Sequence, residues 1–514
     1  MLKLSKFYVK VLIKSPLFLI SLLFSIFIFI VQLSALENSS ILEYTSVVCY
    51  AMMSLNLYFL ICTSSVMSKK YEIMDFLESD ISKKYLTIIL AALVISIISS
   101  LIPIVFILAF KNTNISSFFI LKGIINIFII LNLSNLLCIS VGASVGIILK
   151  KWTSIVVSLV IYSFFPFFLF YPLSESTVVM KFLNIYSDST TIRTNILCDE
   201  IFNVSYFCDK LVVLLISILL ILVVKIIVNK KKRILSIVSI FSVIVFIIIT
   251  TFIGFNSVSF IHEYDYSQGE NLNYHISSYK MDININNNFT NSVSFQLNID
   301  KPDDSIILEL DDLFKINEIR INDKPIKYTH ENDKIILDYQ TIQKESVNVS
   351  ISYQGYIHVE DSLGVDTYYC NEHTMNLTDS FSWYPYVNND NFPIDYIVKI
   401  NSSSNIYSNL NTQNEGDKYL LEGRTQKVQL FSGQYKDIYD DGIEYVIPSS
   451  KDLGKFKISL DKRITSYLND PHNKLSKNDI DVLKDRKYKK VIVGVNVNNR
   501  SGMKVSDNIL LLEL

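Results

Sequence analysis

The stretch 229–255, NKKKRILSIVSIFSVIVFIIITTFIGF, divides the chain. It opens on Lys230, Lys231, Lys232 and Arg233, then runs through 234–253 with almost no polar interruption. About 20 apolar residues suffice for a helix to cross a hydrocarbon core of about 30 Å. Before this stretch the chain is mostly apolar; after it no comparable run recurs. Basic residues beside a span stay on the cytoplasmic side. The helix is therefore expected to leave the cytoplasm and carry 256–514 outside. In isolation the run would also read as a buried core helix with a charged cap, but six similar runs precede it.

Those runs lie at 16–31, 45–66, 86–110, 120–149, 153–171 and 211–228, which makes seven spans with 234–253. Lys3, Lys6, Lys10 and Lys14 precede the first run. A signal peptide cleaved near Ala35 is the alternative to a retained first span. Lys69, Lys70, Lys83 and Lys84 lie between the second and third runs, Lys150 and Lys151 between the fourth and fifth. The alternate loops are poorer in cations, so the asymmetry predicts a multi-pass cell-membrane protein with a cytoplasmic N-terminus and an extracytoplasmic C-terminal domain.

The 514 residues are long enough for several domains, and the positive mean hydropathy with 19% charged residues fits a membrane protein joined to a polar part. The expected division is a six-span domain at 1–228, a seventh span at 229–255 and a linker at 256–271. An extracytoplasmic mainly-β sandwich at 272–447 and a short, partial α/β piece at 448–514 follow. A formal net charge of −2 points away from a nucleic-acid partner. Of the six cysteines, Cys49, Cys62 and Cys138 fall in predicted spans as small apolar residues. Cys198 and Cys208 share one predicted outer loop, where they either pair or stay as two thiols. No C-x-x-C spacing occurs, so no zinc site and no cofactor are expected from the cysteines.

Two stretches of the apolar half carry polar character. The fourth span holds Asn126, Asn132 and Asn135, then Gly142-Ala-Ser-Val-Gly146. Glycines four apart permit close helix contact and Asn can hydrogen-bond between helices; polar residues at membrane depth also line pathways. The segment 69–87, KKYEIMDFLESDISKKYLT, sets Tyr71, Met74, Phe76, Leu77 and Ile81 at roughly helical spacing among Glu72, Asp75, Glu78 and Asp80. That pattern is a short amphipathic helix at the cytoplasmic face, either resting on membrane lipids or docking a partner.

ESDISKKYLTIIL, 78–90, resembles the inner loop that leads into the third span of ABC-2 type transporter permeases, although the usual Pro and Gly are missing. The resemblance covers about 1–228. It implies a membrane-spanning permease subunit, working with a second permease copy or a homologous permease, and a loop that contacts a separate ABC ATPase subunit through Glu72, Asp75, Phe76, Leu77, Glu78, Lys83 and Lys84. The chain has no G-x-x-x-x-G-K-[ST] phosphate loop, so ATP would be hydrolysed by another polypeptide.

From Tyr274 onward the period changes to two. Val347, Val349, Ile351 and Tyr353 alternate with Asn348, Ser350 and Ser352, and Asn322-Asp323-Lys324-Pro325 supplies a turn. Strands are predicted at 292–299, 306–310, 319–321, 335–339, 347–353, 396–400, 419–422 and 427–432, as antiparallel sheets with one solvated face. The ordered set INDKPIKY, DKIILDY, VNVSISYQGYI, FSWYPY, DYIVKINSSSNIYSNLN and VQLFSGQYKDI resembles the N-terminal β-domain of zinc peptidases of the aminopeptidase N type, with Trp383, Tyr384 and Pro385 as its aromatic-Pro element. Beyond it, 460–483 is helix-like and 489–497 and 505–514 are strand-like, as at the start of that family's catalytic domain.

Catalytic zinc of that family needs H-E-x-x-H on one helix face. His262-Glu263 is followed by Tyr264, Asp265 and Tyr266, so the second histidine is missing, and His358, His373 and His472 have no helical partner. No catalytic or metal-binding residues are expected, and the chain alone is not expected to be an enzyme. Two functions follow. One is an ABC permease subunit that exports or handles a peptide-like or amphiphilic substrate, with an external domain binding substrate or partner. The other is a truncated or split membrane-anchored aminopeptidase-like protein whose zinc domain lies in another chain.

Overall fold

The computed structural model describes residues 2–35, 41–69, 81–109, 117–170, 197, 202–228, 233–257, 259–260, 273–285, 288–299, 305–338, 346–360, 366–387, 393–449, 451–470, 477–497, 502–506 and 508–513. The chain forms two compact units, one of apolar helices from the first half and one mainly of strands from the second.

The helical unit contains α1 (Leu2–Ile13), α2 (Pro16–Ala35), α3 (Ile41–Ser68), α4 (Ile81–Ala109), α5 (Ser117–Ile148), α6 (Lys151–Phe170), α7 (Val204–Val228) and α8 (Arg233–Asn256). Among the described residues, five stretches are long and apolar enough to cross a membrane: Ala51–Ser68, Ile81–Phe106, Ile120–Ile148, Val204–Val228 and Ser236–Asn256. The bent pair α1–α2, which turns by 65° at Lys14 and Ser15, makes a sixth if it counts as one span. Five or six of the seven expected runs thus coincide with helices of sufficient length and apolarity among the described residues. The seventh run falls on α6, whose helix covers Lys151–Phe170 and whose apolar stretch among the described residues is Trp152–Ser163. Pro103 sits inside α4 without ending it.

The start of α7 differs from the expected 211. Asn203 caps the helix, its side chain accepting from Tyr206 N at 2.7 Å, so helix begins at Val204 and takes in Cys208. The charged pair Asp209–Lys210 hid this turn from the hydropathy pattern. The two side chains lie 2.9 Å apart and are buried.

Packing in the unit centres on α3 and its neighbours. Tyr8, Leu12, Tyr58, Phe59, Ile88, Ala92, Ile139 and Ala143 belong to one buried cluster. Outward-facing side chains stay apolar and exposed, as at Leu23 and Phe27 on α2, Ile98 and Val105 on α4, and Phe241, Phe246 and Phe252 on α8. A large exposed apolar surface of this kind suits contact with lipid.

The second unit is built mainly of strands. An eight-stranded sheet runs in the order β15-β16-β13-β2-β3-β9-β5-β6. Its members are β2 (Tyr274–Ile285), β3 (Phe289–Ile299), β5 (Lys315–Ile321), β6 (Lys324–Pro325), β9 (Ser346–Gly355), β13 (Ile394–Asn401), β15 (Asn411–Glu415) and β16 (Lys418–Thr425). Alternation along β3 and β9 puts Val293, Phe295, Leu297, Val349, Ile351 and Tyr353 inside. A six-stranded sheet runs β1-β10-β11-β12-β17-β14, from β1 (Ser259–Phe260), β10 (Ile357–Glu360), β11 (Asp366–Cys370), β12 (Met375–Leu377), β14 (Tyr407–Ser408) and β17 (Leu430–Ser432). The three-stranded sheet β4-β8-β7 holds β4 (Ser305–Glu309), β7 (Tyr328–Glu331) and β8 (Lys334–Asp338). All three sheets contribute to one hydrophobic core.

Turn chemistry sets the registers. Asn322 and Asp323 both have positive φ (49° and 65°) between β5 and β6, and Asn332 and Asp333 repeat this (52° and 61°) between β7 and β8. Two consecutive positive-φ residues match the twist of a two-residue hairpin, and Asn and Asp tolerate that region best after glycine.

The last sheet is β18-β19-β20-β22-β21, from β18 (Tyr435–Asp440), β19 (Ile443–Pro448), β20 (Lys490–Gly494), β21 (Met503–Ser506) and β22 (Ile509–Glu513). It therefore begins at Tyr435, within the stretch read as β sandwich. β19 and β20 are parallel, and the crossover that such a pair requires is made by α9 (Leu453–Asn469) and α10 (Lys477–Lys484). Asp452 caps α9, accepting from Lys455 N at 2.9 Å, and Leu460, Ile464, Val482 and Leu483 pack on Tyr445, Ile447, Val491 and Val493.

The aromatic-Pro element lies in the core of this unit. Trp383 and Tyr384 are buried, and two tyrosines from the eight-stranded sheet hold their backbone: Tyr279 donates to Pro385 O at 2.7 Å and Tyr353 to Trp383 O at 2.9 Å. Burial pushes both phenols well above their ordinary pKa, so they remain donors. Trp383→Ala is expected to destabilise the β unit by about 3–5 kcal/mol through the cavity it leaves. Tyr279→Phe is expected to cost about 1–3 kcal/mol by stranding the Pro385 carbonyl. Denaturant unfolding of the purified chain, followed by tryptophan and tyrosine fluorescence, checks both, and unchanged midpoints would show that the element does not hold the core.

Candidate functional site

The polar residues of the fourth apolar run meet partners on three other helices. Ser96 Oγ on α4 donates to Asn132 Oδ1 at 2.9 Å, and Asn132 Nδ2 donates to Ser100 Oγ at 3.1 Å. Asn135 Nδ2 donates to Ser96 Oγ at 2.9 Å. Tyr206 of α7 donates to Asn126 Oδ1 at 2.7 Å, and Ser134 Oγ lies 3.3 Å from Asn56 Oδ1 on α3. Gly142 and Gly146 face α3: an added Cβ would stand 2.4 Å from Leu60 O and 2.4 Å from Ser64 O respectively. Backbone cannot yield as a side-chain tip does, so hydrogen there is the condition for α3 and α5 to approach. The asparagines thus act in interhelical hydrogen bonding and the glycines in close packing. Asn135 also borders a mostly apolar cavity between α2, α3, α4 and α5, lined in part by Ser25, Met52, Ser99 and Pro103.

The two lysines of the inner segment divide their tasks. Lys83 is exposed in the first turn of α4. Lys84 is buried, and its ammonium donates to Met67 O at 2.8 Å and Lys69 O at 2.5 Å, where α3 ends. A cation there satisfies carbonyls that the helix leaves unpaired and complements its dipole. Lys84 thus ties two helix ends together. Glu72, Asp75, Phe76, Leu77 and Glu78 lie outside the described residues, as do His262 and Glu263. Cys208 is buried in α7, and Cys198 lies outside the described residues.

One constellation has no counterpart in the motifs read from the sequence. His358 and Glu360 alternate on β10, and Asp366 on β11 stands directly across from Glu360. His358 Nε2 is 3.0 Å from Asp366 Oδ1 and 3.7 Å from Glu360 Oε1. The three ligating atoms all lie within 4.8 Å of one another. His358 and Glu360 are 3% and 4% exposed. A bulge creates the convergence: the ladder pairs Val359 with Tyr368 and then Glu360 with Asp366, which leaves Thr367 as the extra residue. His-x-Glu within a strand was the available signal, since residues two apart share a face.

No protein-family model matches the sequence, and no curated protein matches it. Solved structures do show likeness. An M1 zinc metallopeptidase from Deinococcus radiodurans aligns at 9% identity and a TM-score of 0.31, covering 48% of this chain and 61% of that one. A yeast LTA4 hydrolase aligns at 12% identity and 0.30, covering 47% and 40%. The Legionella pneumophila aminopeptidase A structure in complex with aspartic acid aligns at 13% and 0.35, covering 48% and 31%. The chain thus spans less than two thirds of each of these proteins.

The packing role of the fourth run is testable. Gly142→Leu is expected to abolish the monodisperse detergent-solubilised protein, because no rotamer escapes the Leu60 carbonyl. Asn132→Ala is expected to cost about 0.6–1.7 kcal/mol, the range for one interhelical hydrogen-bonding side chain. Fluorescence-detected size exclusion after graded heating measures both. A Gly142→Leu protein as stable as the parent would refute the close contact.

Proposed function

We propose that the chain is the membrane-spanning permease subunit of an ABC transporter, coupled to a separate ATPase subunit and carrying its β unit outside the cytoplasm to bind substrate or a partner. What supports the reading is the helical unit: several apolar helices closed on a buried polar seam, apolar outside, with Lys84 at the start of α4 bound to carbonyls at the end of α3. The resemblance of 78–90 to the inner loop of ABC-2 permeases supplies the coupling surface. The substrate class in this reading is peptide-like or amphiphilic, since the external unit resembles a domain of peptide-handling enzymes. Transport needs a rigid contact through which nucleotide-driven movement of the ATPase reaches the helices. Lys84 fixes the start of α4 to the end of α3, so force applied to the intervening segment would pass to both.

Phe76 and Leu77 are assigned as the apolar anchor of that contact, with Glu72, Asp75 and Glu78 at its rim. An anchor of this type carries about 2 kcal/mol or more of an interface, whereas exposed charge pairs carry about 0–1 kcal/mol. Phe76→Asp with Leu77→Asp is expected to abolish co-purification with the ATPase subunit while the protein still inserts; Glu72→Ala with Glu78→Ala is expected to weaken it slightly. Normal co-purification and transport by the double Asp protein would remove the coupling role.

A second reading, a split membrane-anchored aminopeptidase-like protein, draws on the ordered motifs of 272–447. In that case a second polypeptide carrying H-E-x-x-H would be needed, and aminoacyl-reporter hydrolysis would appear only when the two chains are mixed. A chain that binds no ATPase but gains peptidase activity from such a partner would favour this reading.

A further inference from the structure

We propose that His358, Glu360 and Asp366 form a binding site for a divalent first-row transition-metal ion, of the Zn2+ or Mn2+ class, at the β10–β11 pairing of the β unit. The motif is unrelated to H-E-x-x-H: its ligands come from two strands, with one imidazole nitrogen and two carboxylate oxygens.

Geometry is the first support. Ligand atoms about 2.0–2.2 Å from a tetrahedral metal ion stand about 3.4 Å apart. The separations from His358 Nε2, 3.0 Å and 3.7 Å, bracket that value. The second support is the direction of convergence. A proton on Nε2 points one way and serves one carboxylate well. Here two carboxylates close on the same nitrogen, and a cation at their centre accepts all three atoms at once.

Rigidity favours the site too. All three ligands sit on paired strands, and Thr367 of the bulge is pinned on both sides: its hydroxyl donates to Val359 O at 2.9 Å, and its carbonyl accepts from Asn376 at 2.5 Å. Imidazole with carboxylates suits first-row metals over Ca2+ or Mg2+, which take all-oxygen shells. Bound there, the ion would lock the end of β10 to the start of β11.

The test uses the tag-free full chain in detergent, stripped with EDTA and dialysed against Zn2+, Mn2+ or Ca2+. Wild-type protein is expected to retain about one Zn2+ or Mn2+ per chain, with a raised thermal midpoint, and to release it to chelator. Glu360→Gln and Asp366→Asn preserve shape and remove charge. Each is expected to lose at least about 10–100-fold in affinity, the loss seen even when an outer-shell partner of a metal site is removed. Co2+ in place of Zn2+ is expected to give a visible absorption band that His358→Ala abolishes. Folded wild-type protein that retains no metal would overturn the site, as would equal retention by the isosteric variants. Ca2+ binding unaffected by His358→Ala would overturn the imidazole ligation.

Discussion

A main-chain carbonyl shut away from water must find a donor, and both units are organised by side chains sent to meet that demand. In the helical unit Tyr58 reaches Leu12 O at 3.0 Å where α1 ends, and Lys84 takes carbonyls where α3 ends. In the β unit Tyr279 and Tyr353 hold the carbonyls of Pro385 and Trp383. Asn376 goes further and meets both backbone groups of Val495, donating to its carbonyl at 2.8 Å and accepting from its N–H at 3.1 Å. That pair joins the six-stranded sheet to the mixed sheet, as a strand neighbour would. Such bonds act on irregular backbone that no ladder can serve, which is why aromatic hydroxyls and amides recur wherever an element ends or turns.

The same demand explains the sequence of the helical unit. A helix satisfies its own interior, so only its ends and its contacts need side-chain help. Lipid offers no hydrophobic drive to bring helices together. Association then depends on close approach and on hydrogen bonds between helices, and α5 supplies both from one face. Gly142 and Gly146 admit the α3 backbone, while Asn132 and Asn135 reach Ser96 and Ser100 on α4. The Asn132 and Asn135 amides thus act between helices, beside a small and mostly apolar cavity that Asn135 borders.

Legibility followed physical pattern. Apolar runs gave α2 to α5 and α8 closely, because continuous hydrophobicity has few other meanings at that length. The first turns of α7 escaped because Asp209 and Lys210 interrupt the run, though they neutralise each other inside the protein. The helix α1 was read only as a basic approach to the first span, since its lysines hid an apolar face that buries Leu4, Tyr8 and Leu12. Strands with one solvated face, β3, β9, β13 and β16, were visible through alternation. β10, β11 and β12 were not: nearly every residue in them is buried, so the period-two signal vanishes.

That loss of signal bears on the chemistry of the β unit. In a helix, metal or catalytic ligands recur at fixed spacing, three or four residues apart, and sequence motifs record it. Strands place two ligands at i and i+2, and the third comes from a neighbour whose register the sequence does not state. Here a single extra residue, Thr367, decides it: without the bulge the ladder would set threonine, not Asp366, across from Glu360. His358, Glu360 and Asp366 therefore share a point in space through a register shift, and no spacing rule for histidine and carboxylate would have joined them. The asparagines and glycines of α5 could be found from the sequence because one helix carries them all; the cluster on β10 and β11 could be found only once the strands were paired.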